Sequence, residues 1–319
     1  MRIHHDCIWA TLIHIGTNMW YEEGNTRGVC KATWKSPASP DIRFERDTWE
    51  KYIVQLRESG NNALVIDVGE ALLYKSHPEI SCRGAWTHDE MKAELDRLNA
   101  MGFEVIPKLN FSTTHDTWMG KYAQMVSTPE YYAVCRDLID EVCELFEPRF
   151  FHLGMDEEVY ENQRLYNYVV IRQNELWWHD LYYLIDCVEK HGARAMMWSD
   201  YARHNAEEFI EKCPKSVVQC VWYYFDKFDL GNMEDKYECR VRPFKQLADA
   251  GFDQIPSGSV VYFDNNLQLL TEFCMKTIPK EHLLGFMQTT WEAVESRWQT
   301  LLDKGCESVR ESRAIYEKL

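Results

Sequence analysis

Short apolar runs alternate with longer amphipathic segments from one end of the chain to the other. The runs at residues 8–16, 63–68, 104–109, 150–153, 195–198, 217–222, 260–263 and 284–289 lack strict apolar–polar alternation. That pattern suits parallel strands covered on both faces. Between them, apolar residues recur at helical spacing. Trp49, Ile53 and Leu56 mark a helix over 47–59 that stops before Gly60. Thr87-His88-Asp89-Glu90 is a capping box, and Met91, Leu95, Leu98 and Met101 follow on one face. Thr128-Pro129 opens a third helix that carries Cys135, Leu138, Ile139, Val142, Leu145 and Phe146. Further helices are predicted over 174–190, 206–212, 242–250, 267–277 and 296–319.

Eight strand–helix units in 319 residues give about 40 residues each, the size of one unit of a (β/α)8 TIM barrel. The repeated strand-then-helix order predicts a parallel sheet with right-handed crossovers. No Pro/Gly/Ser-rich linker interrupts it, so a single α/β barrel domain over 1–319, with no separate N-terminal domain, is expected. An open doubly wound sheet is the rival architecture. It would normally carry a glycine-rich phosphate turn after the first strand, and Gly16-Thr17-Asn18 does not supply one. No Walker-type motif occurs either, so no nucleotide or other cofactor is expected.

Composition narrows the partners. Lys+Arg number 35 against 51 Asp+Glu, a net charge of −16, which argues against nucleic acid held through its phosphates. No apolar stretch approaches the roughly 20 residues of a membrane span. Residues 1–15 contain His4, His5, Asp6 and His14 and no small-residue cleavage site, so no signal peptide is read. The 11 cysteines include no C-x-x-C pair and sit in apolar contexts such as Cys135, Cys143 and Cys220. Buried thiols in a reducing cytoplasm are the expectation.

In an eight-fold barrel the chemistry gathers at the C-terminal ends of the strands. The densest candidate there is Phe150-Phe151-His152-Leu153-Gly154-Met155-Asp156-Glu157-Glu158, an apolar strand running into three carboxylates. Adjacent acids repel, and burial of one raises its pKa toward the range a general acid needs. An acidic helix start is the plainer reading of such a triplet; its place at the fourth strand end shifts the balance toward catalysis. Asp200 beside Trp198, Tyr224 beside Trp222, and Glu292 beside Trp291 put aromatics and polar groups at strands five, six and eight. That mixture suits a sugar, whose C–H faces pack on rings and whose hydroxyls meet polar groups. Lys108, Asn110 and His115 follow strand three.

These residues carry a resemblance. His152-Leu153-Gly154-Met155-Asp156-Glu157 resembles the H-x-G-G-D-E signature of β-N-acetylhexosaminidases, glycoside hydrolase family 20. Thr87–Glu90 with Gly102-Phe103-Glu104-Val105-Ile106-Pro107, then His115, Trp198, Trp222 and Gln288-Thr289-Thr290-Trp291-Glu292, are similar to that family in the same order. The resemblance implies a retaining, substrate-assisted hydrolysis at a 2-acetamido-2-deoxy-hexose such as N-acetylglucosamine. Glu157 would be the general acid and base, and Asp156 would orient the acetamide and stabilise the oxazolinium. His115, Asn110, His152, Trp198, Asp200, Trp222, Tyr224, Trp291 and Glu292 would bind substrate. Three departures stand out: Met155 replaces the second glycine, Asn18 and Trp20 stand at the first strand mouth where the family has an arginine, and Lys108 and Asn110 replace acidic residues.

Two other functions compete. A carbohydrate-binding barrel with lost activity would keep the aromatics without turnover. A metal-dependent barrel hydrolase would draw on His4, His5, Asp6, His152 and Asp156, but no H-x-H or H-E-x-x-H spacing supports it and no metal is expected. Trp177-Trp178 suggests either ordinary packing or an outer-helix surface through which the chain would form a homo-oligomer.

Overall fold

The apolar runs pair with their sequence neighbours in parallel, as a strand–helix repeat requires. The computed structural model describes residues 2–22, 24, 37–164 and 166–318. They form β1 Ile8–His14, α1 Arg46–Glu58, β2 Ala63–Asp67, α2 His88–Ala100, β3 Glu104–Lys108, α3 Pro129–Phe146, β4 Phe150–His152, α4 Tyr160–Gln163, α5 Asn174–Glu189, β5 Arg194–Trp198, α6 Ala206–Lys212, β6 Val218–Cys220, α7 Asp235–Asp249, β7 Ser257–Ser259, α8 Asn266–Thr277, β8 Gly285–Ala293 and α9 Gln299–Tyr316. The eight strands run in the order β6-β5-β4-β3-β2-β1-β8-β7. Parallel bridges at Gln219–Gln254 and Trp222–Ser257 join the two outer strands, so the sheet closes into the expected (β/α)8 barrel.

A two-residue period then decides what each strand offers. Ile8, Ala10 and Leu12 of β1, Ala63 and Val65 of β2, Ile106 of β3, Phe150 of β4, Met196 of β5, Val218 and Cys220 of β6 and Met287 of β8 fill the barrel interior. Their neighbours Trp9, Ile13, Leu64, Ile66, Phe151 and Met197 face the helical layer. Continuing the inward series by two residues reaches His14, Asp67, Lys108, His152 and Trp198, the upper rim of the packed interior. There the Lys108 ammonium donates to Asp67, and His14 Nδ1 lies 3.4 Å from the same carboxylate. Burial alone would raise the Asp67 pKa, but Lys108 and His14 more than offset it and hold the carboxyl below its ordinary value. His152 is kept neutral by burial and by Lys108 and accepts from the Gly154 amide at 3.0 Å.

Several elements differ from the sequence expectation. The seventh strand is Ser257–Ser259, not 260–263, where the chain instead turns. Ser257-Gly258-Ser259 carries no apolar signal because its place demands small residues: a Cβ on Gly258 would lie 2.7 Å from Asn266 Oδ1. The Ser259 hydroxyl is satisfied by the Thr289 carbonyl at 2.7 Å. Helix α7 begins two turns before the expected 242, with Pro243 inside it; a proline normally marks a first turn, which hides the turns before it. Trp177 and Trp178, by contrast, follow the packing reading of that pair and are buried: Trp177 stacks on Tyr201 at 4.2 Å and Trp178 donates to Glu208 at 2.9 Å.

Removing one partner of the rim pair should be costly. Lys108→Met leaves Asp67 buried and uncompensated and should lower stability by about 3–5 kcal/mol. The double variant Asp67→Asn/Lys108→Met should recover most of that loss in urea denaturation.

Candidate active site

The chain leaves β4 in a conformation that few residues tolerate. Gly154, Met155 and Glu157 have φ of 76°, 70° and 51°, in the left-handed region. Non-glycine residues there cost on the order of 1–3 kcal/mol each and persist only where the surroundings over-determine them. Here they do. Strand ladders hold the start of the segment, with Leu153 N–H on Met196 O at 2.8 Å and Trp198 N–H on Gly154 O at 2.9 Å. The segment after β3 holds the rest: Ser112 Oγ donates to the Asp156 carbonyl, and Thr114 Oγ1 donates to the Glu157 carbonyl at 2.7 Å. The family signature has glycine at 155; the conformation explains why, and this chain places a buried methionine there instead.

The three consecutive acids separate into different roles. Asp156 is buried; Asn110 Nδ2 donates to its Oδ1 at 3.0 Å, and His115 Nε2 lies 3.4 Å from its Oδ2. Glu157 keeps a third of its side chain exposed, lies 3.6 Å from the same imidazole, and receives Asn162 Nδ2 at 3.4 Å. Glu158 turns away, accepting from the buried Arg172, which also donates to the Phe111 carbonyl at 2.6 Å and lies 3.3 Å from Asp180. Burial works to lower the pKa of His115, but Asp156 and Glu157 outweigh it and the net shift is upward. His115 thus sits beside both acids, and their charge favours its protonated form.

Asp156 and Glu157 open into a cavity of about 490 Å³, within the range of small-molecule sites. Its walls include Trp20, Trp222, Tyr224 and Trp291, with Phe225, Tyr237 and Tyr262 further out. Tyr224 Oη accepts from the Trp291 indole at 3.2 Å, and Trp20 meets His115 edge-on at 4.5 Å. Of the expected substrate residues only Trp222, Tyr224 and Trp291 line it; Asn110 and His115 stand behind Asp156, and four others lie elsewhere. His152 and Trp198 are fully buried beneath, their rings 4.6 Å apart, because they end the inward series of their strands. Glu292 is buried beside Trp291 but not among the lining residues. Asp200 acts from behind: it accepts from the Trp222 indole at 2.6 Å and pairs with Arg203 at 3.1 Å. Burial pushes its carboxyl up to about 6.

Sequence reasoning missed Arg172, Asn162 and the α7 residues Lys236, Tyr237 and Arg240. The last three fall in the turns hidden before Pro243, and Asn162 in the short α4. Nothing in the sequence pairs Arg172 with Glu158. The proposed metal ligands are not brought together: His4 and His5 lie near Glu104 at the far end of β3, away from Asp156. Among the described residues no group of three or more His, Cys, Asp or Glu is arranged to hold a metal ion.

A second cavity, of about 590 Å³, lies beyond the 113–118 segment and lacks both Asp156 and Glu157. Glu70 lines it and anchors the mouth of β1, accepting from Thr17 N–H at 2.8 Å and Asn18 N–H at 3.0 Å. Burial raises the Glu70 carboxyl from 4.5 to about 7. A raised folded-state value means that its contribution is fully present below about pH 4.5 and is lost as pH rises through about 7. Relative to Glu70→Gln, which mimics the protonated form, the wild-type chain should therefore lose a few kcal/mol of stability between about pH 4.5 and 8, visible as a shrinking or inverted Tm difference. At Gly154 a Cβ would stand 1.9 Å from Asn110 Oδ1 on a backbone of φ 76°. Gly154→Ala should cost about 2–4 kcal/mol in the same melts and displace the Asn110–Asp156 contact.

Known proteins share this framework. The model of the glycosyl hydrolase family 20 catalytic domain matches residues 91–300. Among solved structures, a Flavobacterium johnsoniae chitobiase superposes with a TM-score of 0.59 at 16% identity, over 86% of this chain and 48% of that one. A family 20 β-N-acetylhexosaminidase from Streptomyces coelicolor gives 0.61 at 13% identity, over 94% and 63%. Dispersin B gives 0.57 at 14%, over 96% and 98%. The chain thus spans about half to two thirds of the first two, and at these identities the likeness establishes the fold. No curated protein matches the chain in sequence. With the family model covering well over half of its residues, the chain belongs to glycosyl hydrolase family 20, through that family's catalytic domain.

Proposed function

We propose that the chain is a glycosidase that cleaves at a 2-acetamido-2-deoxy-hexose with retention, using the substrate's own acetamide as nucleophile. The observation that carries this reading is the neighbouring pair Asp156 and Glu157 in one aromatic-walled cavity, one carboxylate buried and gripped, the other a third exposed. Successive residues leave the backbone in different directions, so the two acids reach different parts of one sugar.

In this reading Glu157 protonates the glycosidic oxygen while the acetamido carbonyl oxygen attacks C1. The C1–O bond to the leaving group breaks and an oxazolinium ion forms. Glu157, now a carboxylate, takes a proton from the water that reopens the ring. Asp156 receives the acetamide N–H and faces the positive charge that develops there; Asn110 and His115 fix its two oxygens so that it does not have to reorganise. Trp222, Tyr224 and Trp291 exclude water and pack against the sugar. Asp200 is occupied by Trp222 and Arg203, which leaves it poorly placed to serve as a protein nucleophile.

Glu157→Gln should lower kcat on an aryl N-acetylglucosaminide by about 10²–10⁴-fold while leaving binding of a thiazoline analogue of the oxazolinium largely intact. Asp156→Asn should weaken that analogue's binding as well. An aryl glycoside bearing a 2-hydroxyl in place of the acetamide should be a poor substrate. Cleavage of the 2-hydroxy sugar alone would overturn the mechanism.

A further inference from the structure

The cavity that holds the two acids has a basic wall that a neutral sugar does not call for. Lys236, Tyr237 and Arg240, one turn apart on α7, line it together with Asp156 and Glu157. Arg240 is half-buried, and among the described residues no carboxylate or carbonyl accepts from its guanidinium. Its contact is with the face of Trp222, 5.4 Å from the ring centroid. The other arginines near the site are committed, Arg203 to Asp200 at 3.1 Å and Arg172 to Glu158. In a chain with 51 acidic and 35 basic residues, a partly desolvated guanidinium left free beside a ligand cavity is a site awaiting an anion. Lys236 is exposed and lies 2.9 Å from the equally exposed Glu234. Such pairs hold weakly, so its ammonium can exchange partners.

Resting on the glycosidase reading, and going beyond it to the substrate class, we infer that this cavity takes hexosaminides carrying an anionic substituent, which Arg240 and Lys236 receive. The group is a sulfate ester or a carboxylate, whose paired oxygens match the guanidinium fork. It sits either on the acetamido sugar itself or on the sugar attached to it. Neutralising Asp156 at a distance does not account for Arg240, because Asp156 is already held by Asn110 and His115.

The test compares kcat/KM on three substrates: an aryl N-acetylglucosaminide, its 6-O-sulfated form, and a disaccharide in which N-acetylglucosamine is linked to a uronic acid. The first anionic substrate places the charge on the acetamido sugar and the second on its neighbour. The wild-type chain should prefer at least one of them over the neutral glycoside by about 10- to 100-fold, the worth of a charge-assisted hydrogen bond. That preference should fall between about 0.05 and about 0.5 M salt. Arg240→Met should remove most of it, and Arg240→Glu should reverse it. Lys236→Met, at an exposed position, should reduce it and carries the test if the Arg240 variants do not fold. A ratio unchanged by these substitutions, or an absence of preference in the wild type, overturns the inference and leaves the glycosidase reading standing. Calorimetric binding of the same three compounds to Glu157→Gln separates the two further. Anion-dependent binding without wild-type turnover supports the anion site and refutes the hydrolase; binding of none of them refutes both.

Discussion

The site depends on the clamp that the segment after β3 places on the segment after β4. Left-handed backbone at Gly154, Met155 and Glu157 would not persist on its own. It is held because Ser112 and Thr114 reach the carbonyls of Asp156 and Glu157, Asn110 grips the Asp156 side chain, and Thr113 N–H meets Glu158 at 3.1 Å. Arg172 closes the clamp from outside by joining Glu158 to the Phe111 carbonyl. The two acids owe their orientation to these contacts more than to strand β4, which is only three residues long.

Much of this is legible in the sequence because barrels repeat a simple rule. Apolar runs without alternation mark seven of the eight strands near their observed places, and the Thr87–Glu90 capping box forms as its residues predict. The acids are legible because carboxylates that end a buried apolar strand stand where a barrel opens to solvent and ligand. What escapes has a common physical cause: the information lies in packing partners distant in the chain. Ser257-Gly258-Ser259 is a strand because it pairs with β8, and its residues are small because Asn266 crowds Gly258 and the Thr289 carbonyl takes the Ser259 hydroxyl. His152 and Trp198 read as ligand-facing but belong to the interior, since a strand's two-residue period fixes the face while only the barrel's depth fixes whether that face is open.

The interior itself changes character with height. Low in the barrel it is aliphatic, from Ile8 to Met287; at the rim it becomes a buried polar layer of His14, Asp67 and Lys108. Trp291 lies across this layer, 5.4 Å from His14, and Trp198 meets Trp291 at 5.9 Å. Polar floor and aromatic walls thus share one boundary. Trp291 belongs to both, touching the ionic layer through His14 and lining the cavity with its own ring.

Pro243 divides α7 into two functional halves. Its missing N–H leaves the Cys239 carbonyl without the usual helical partner, next to the residues at the rim. After the proline, Phe244, Leu247 and Ala248 are sunk in the core, whereas most of the turns before it are not. The rim portion is thus tied to the core through Tyr237 and Val241 while it turns Lys236 and Arg240 toward the cavity, so a substitution on its exposed face meets the ligand space before it meets the barrel wall.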